Sequence, residues 1–157
     1  MTATKNDPWL IEAIWRSADL TQAYLVQDRV QVAVCLEGMD TVRLERVLMW
    51  LVLEHDALFD ELGEPSMLVR QLDAVGALAP PETELTMMAA VHRVAAGEKG
   101  LTAALEGLAL PDRVHALAVC TVVMLLDALG RTKALEHLDA QAARYEQMGH
   151  PRPYTPL

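Results

Sequence analysis

Aromatic side chains make up only 4% of this 157-residue chain, with a single Phe, and Ile and Asn are almost absent. Sheets favour β-branched and aromatic residues, whereas Ala, Leu, Val, Met, Arg and Glu dominate here, so the composition predicts an all-α fold. Cysteine is equally scarce. Cys35 and Cys120 lie far apart, without CxxC spacing and without a neighbouring His, which excludes a disulfide framework and a zinc knuckle and leaves two reduced thiols packed as small hydrophobes. That usage suits the cytoplasm.

Positive charge is the next deficit. Thirteen basic residues face twenty-two acidic ones, a net charge of −9, and only three of the basic residues are Lys. A phosphate-tracking or anionic-membrane surface needs clustered Lys and Arg, so neither nucleic acid nor membrane is expected as a partner, while a basic protein is. The start, MTATKNDPW, lacks the apolar stretch of a secretory signal. The most apolar run, Val114 to Leu126, contains His115 and Thr121 and falls short of the roughly 18 residues of a membrane span. With 52% hydrophobic residues the chain has ample core for one soluble domain spanning 1–157.

Local signals divide that domain into about seven to eight helices in a compact bundle. Asp7-Pro8 caps and opens the first, and Asp19 followed by Gln22 resembles a capping box that would start a second running to Gly38, unless the two are one long helix. VQVAV (30–34) alternates like a strand but is read as helical. Asp40 or Thr41 opens a helix ending at Gly63, Pro65 or Ser66 opens a shorter one ending near Gly76, and ALAPPE (77–82) is the clearest break. Helices at about 82–96, 101–106, 111–129 and 133–148 follow, punctuated by glycines. Residues 1–6 read as a disordered start, and HPRPYTPL (150–157), with three prolines, as an extended, frayed tail.

One internal echo stands out. RVLMWLVLEHDALFDELG (46–63) aligns without a gap to RVHALAVCTVVMLLDALG (113–130), and each follows a Leu-Glu-Gly turn. Two related helical hairpins in a pseudo-twofold arrangement would account for it, and so would chance in a composition this rich in Ala, Leu, Val and Arg. No tetratricopeptide or ankyrin signature is present.

The echo sets Glu54, His55 and Asp56 opposite Thr121, Val122 and Val123, so the fold position itself does not demand polar residues. Leu44, Leu48, Leu51, His55, Leu58 and Leu62 follow 4-3-4-3-4 spacing, which puts His55 on an inner stripe. A His there serves as a ligand, a base or simply a hydrogen-bonded core residue. His92 and His115 also fall on apolar stripes, so the three could face inward together, with Trp50 nearby. Asp112 and His115 are the one pair with the three-residue spacing of di-metal carboxylate bundles, but an acid just after Pro111 is explained by the helix dipole, and no metal or other cofactor is expected. There is no GxSxG, HExxH, GxGxxG or phosphate loop, and Ser17 and Ser66 read as helix caps, which makes an enzyme the less favoured class.

From Glu54 to Glu64 the chain carries Glu54, Asp56, Asp60, Glu61 and Glu64 and no base. Such a run is a solvated face or a surface steering a basic partner. Trp9 and Trp15 mark the first helix as a second candidate surface. The leading expectation is a non-catalytic, self-associating protein-interaction module. One alternative is a small-molecule pocket between the hairpins, lined by Met, Leu and Trp50 and using His55 or His115. The other is an acidic immunity- or antitoxin-like protein that covers a basic partner.

Overall fold

The computed structural model describes residues 7–155. Its regular elements are α-helices: α1 Pro8–Leu25, α2 Arg29–Val34, α3 Thr41–Glu61, α4 Val69–Gly76, α5 Pro81–Ala95, α6 Leu101–Leu105 and α7 Leu110–Gln147. Among the described residues there is no strand, and VQVAV lies within α2. Capping chemistry sets several starts. The Asp7, Asp28 and Asp40 carboxylates accept hydrogen bonds from the amides of Trp9, Gln31 and Arg43, at 3.0, 3.0 and 2.9 Å.

The bundle is built around the first half of α7. Every residue from Val114 to Leu125 is buried, which explains why that stretch is apolar on all sides rather than amphipathic. Helices α1, α3, α4 and α5 all pack against α7. By length and composition α7 is also apolar enough to cross a bilayer, yet 67% of its most apolar window is covered by the other helices, as expected of a central core helix. At Gly130 the helix breaks, with φ 77° and ψ 166°, a conformation essentially restricted to glycine. Beyond the break an amphipathic arm turns Ala134, Leu138 and Tyr145 inward.

Three assignments differ from the sequence reading. Asp19 opens no helix: α1 runs through it because Leu20, Thr21, Ala23, Tyr24 and Leu25 continue the buried face, and the chain turns instead at Gln27, which has φ 63°. Ser17 is likewise no cap but a fully buried residue in the middle of α1. Neither Pro65 nor Ser66 starts α4, which begins at Val69 after a loop that tucks Met67 against the core.

The C-terminal segment is bound, not frayed. Trp15 donates its indole N–H to the His150 carbonyl at 2.8 Å, Arg152 and Tyr154 both donate to the Asp19 carboxylate, and the Arg16 guanidinium lies 3.8 Å from the centre of the Tyr154 ring. Pairing of extended backbone is replaced here by side-chain anchors, and Asp19, read as a cap, is their acceptor. The expected disordered start, residues 1–6, lies outside the described residues.

Gly63 and Gly130, aligned in the internal echo, share φ 77°, whereas Gly38 has φ 75° and its counterpart Gly107 is not left-handed. The packing is similarly lopsided. α1 packs on both α3 and α7, but α5, which would be its counterpart, packs on α7 and at most grazes α3. The side of α3 that faces α5 is thereby left without a covering helix.

Candidate functional site

The gap between α3 and α5 is a cavity of about 580 Å³, within the roughly 300–1,000 Å³ typical of small-molecule sites. Its walls come from the C-terminal half of α3 (His55, Asp56, Phe59), the loop before α4 (Pro65, Ser66, Met67), the end of α5 (Val94), the start of α6 and, on α7, Cys120 and Met124. A second cavity of about 150 Å³ adjoins it through the shared residues Asp56, Leu101 and Thr102, and extends between Leu48, Val52, Glu106, Arg113 and Leu117. The short α6 packs on α5 and contributes Leu101 and Thr102 to the walls of both cavities.

His55 occupies the inner-stripe slot its spacing predicts and is 8% exposed. Its ring stacks on Phe59, one turn along α3, with centroids 6.1 Å apart and planes 13° from parallel. Nδ1 lies 3.2 Å from the Asp56 carboxylate. A carboxylate only accepts, so Nδ1 carries the hydrogen; in the neutral ring Nε2 is then an acceptor. Among the described residues Nε2 has no protein partner. The Asp56 side chain is 68% exposed and stands at the junction of the two cavities. Apolar walls with one adjacent pair of polar groups can hold an apolar body and orient its polar end.

The other histidines are elsewhere. His115 lies in the core, 5% exposed, with Nδ1 2.7 Å from the Tyr24 hydroxyl, and burial pushes its pKa down to about 4. It is therefore neutral, and its hydrogen bond with Tyr24 joins α7 to α1. His92 pairs at the surface with Asp73, 2.6 Å away. The three do not converge. Asp112, expected to pair with His115 if at all, accepts instead from the Thr86 hydroxyl at 2.8 Å. Among the described residues no three His, Cys, Asp or Glu side chains gather as a metal set.

Trp50 and Glu54 also leave the expected site. Glu54 points inward toward the second half of α7, accepting from the Trp50 indole N–H at 2.8 Å, the Gln141 amide at 3.2 Å and the Tyr145 hydroxyl. Burial raises its carboxyl pKa, while the Tyr145 and Trp50 hydrogen bonds oppose the rise. The acidic face thus consists of Asp56, Asp60, Glu61 and Glu64 without Glu54. Trp15, read as a partner surface, is 1% exposed and packs edge-on to Tyr145, whereas Trp9 is 44% exposed under Arg43.

Phe59, Leu101, Thr102 and Cys120 line the cavity without having been singled out from sequence. Met67 and Met124 are of the residue type expected, with Leu, to line a pocket between helices, since Met is a common lining of adaptable grooves. Both thiols are buried and pushed up to about 12 by desolvation, so Cys120 lines the wall as an unreactive thiol. Comparison of the chain with protein-family models, curated proteins and solved structures finds no match.

Proposed function

We propose that this protein binds a small, largely apolar molecule in the cavity between α3, α5, α6 and α7, with the His55–Asp56 pair orienting its polar end. The cavity itself carries the reading: a 580 Å³ apolar space left where α5 fails to close on α3, with the mutually hydrogen-bonded His55 and Asp56 at its wall. Among the described residues no hydrogen bond joins the Cys120 thiol to His55, the base on the same wall, and binding rather than catalysis is the activity proposed. The unreactive thiols accord with a reducing, cytoplasmic setting, and the net charge of −9 accords with neither nucleic acid nor an anionic membrane as partner.

The test is native mass spectrometry of the protein from its own host, paired with displacement of a neutral apolar dye. A bound organic mass and saturable dye binding are expected, both weakened in Ser66→Trp, which adds bulk to the cavity wall from an exposed loop residue, with the melting temperature read as a fold control. Bare protein that takes up no dye refutes the proposal.

A second reading, a self-associating or partner-binding module, draws on α3. Val42, Met49 and Leu53 are 56%, 48% and 56% exposed along its outer face, and Asp56, Asp60, Glu61 and Glu64 continue it. It includes an immunity-like cover for a basic protein. Sedimentation tests self-association: Leu53→Lys should convert a dimer to monomer, and a wild-type monomer at all concentrations removes that part. Charge reversal at Asp60, Glu61 and Glu64 should weaken capture of a basic partner by more than ten-fold; unchanged capture removes that face.

A further inference from the structure

The walls of the larger cavity contain Asp56 and His55 as their charge-bearing polar groups and no Lys or Arg. The nearest basic residues along the chain, Arg93 and Lys99, flank the lining without belonging to it. In the smaller cavity Arg113 is present, but Glu106 lines the same wall and the Arg113 Nε–H is already donated to the Leu108 carbonyl at 2.8 Å. Asp60 lies one helical turn beyond Asp56, followed by Glu61 and Glu64, all exposed.

Hydrogen-bond direction points the same way as charge. The Asp56 carboxylate accepts only, and a His55 ring whose single hydrogen sits on Nδ1, facing that carboxylate, presents Nε2 as an acceptor. Two neighbouring acceptors, one of them anionic, match a head group made of donors. A carboxylate or phosphate head would meet a like charge at Asp56 and find no guanidinium or ammonium in the larger cavity to receive it.

From this arrangement we infer that the ligand is a cationic amphiphile, an apolar chain or ring system carrying an amine, with its ammonium at Asp56 and His55 and its apolar body against Phe59, Met67, Cys120 and Met124. The inference rests on the binding reading above and adds the charge of the ligand to it. Thr102, on the wall shared by both cavities, is a further hydroxyl acceptor for the same head group.

The experiment compares decylamine, decanol and decanoate as competitors of N-phenyl-naphthylamine on the full chain near neutral pH. The three share one apolar body and differ in head charge. Because Asp56 is largely exposed, decylamine should bind about 1.5- to five-fold more tightly than decanol, the range of exposed ion pairs, and decanoate more weakly than either. In Asp56→Asn, whose melting curve serves as a fold control, the amine and alcohol should become equal. Equal binding of amine and alcohol to the wild type, or tighter binding of decanoate, overturns the charge inference while leaving the cavity reading intact. No saturable binding of the dye or any of the three overturns both.

Discussion

Acid should destabilise this protein through one residue, His115. Its imidazole is 5% exposed, hydrogen-bonded to Tyr24, and holds a pKa of about 4 against an ordinary 6.5 because burial disfavours the charged ring. The unfolded chain therefore takes up a proton that the folded chain refuses. Stability contributed by the neutral ring is complete above pH 6.5 and is lost as pH falls from there toward 4. Two-state linkage with those two values gives a loss of about 2 kcal/mol at pH 5 and about 3 kcal/mol at pH 4. Other groups titrate in the same window, and Glu54, whose pKa is raised by burial, contributes with the opposite sign.

The His115 share is isolated by difference. His115→Asn keeps an acceptor for the Tyr24 hydroxyl but has nothing to protonate, so urea unfolding of both proteins from pH 7 to 4.5 should show the wild type losing about 2–3 kcal/mol relative to the variant. A stability gap that stays constant across that range, or one that moves in favour of the wild type as pH falls, would refute the reasoning. The variant's lower stability at pH 7 does not enter, because only the pH dependence of the gap is read.

Glu54→Ala should cost about 2–3 kcal/mol, because it strands the Trp50 indole and the Tyr145 hydroxyl in a partly buried site, while Glu54→Gln, which keeps an acceptor oxygen, should cost less than about 1; chemical denaturation compares them. Gly130→Ala should destabilise by about 1–3 kcal/mol, visible as a lower melting temperature, since φ 77° with ψ 166° is closed to a residue with a Cβ. Arg152→Ala should cost about 1–3 kcal/mol by leaving Asp19 short of its ion pair, and adding Asp19→Asn should recover part of that loss; additive effects in that double-mutant cycle would show that the C-terminal anchor carries no coupling.

Much of the helical framework was determined locally. Asp7, Asp28 and Asp40 cap helices from within their own segments, Gly63, Gly97 and Gly149 end them with left-handed backbone, and the paired prolines at 80 and 81 separate α4 from α5. These signals act over three or four residues and so can be read from sequence. The spacing that put His55 on the inner stripe of α3 has the same local character.

Tertiary packing decided the rest. Asp19 and Gln22 look like a capping box, but the buried residues beyond them keep α1 intact, and Asp19 is instead matched to Arg152 and Tyr154 from the far end of the chain. Glu54 and Asp56 are near neighbours of like chemistry; one is drawn into a cluster with Trp50, Gln141 and Tyr145, and the other faces a cavity. His55, His92 and His115 share an apolar-stripe signature and end in three different environments. Periodicity states which side of a helix is apolar but not which helix covers it, and the cavity exists because α5 leaves one side of α3 uncovered. Helix formation is set by neighbours along the chain, and the site by the relative positions of helices, which depend on long-range burial.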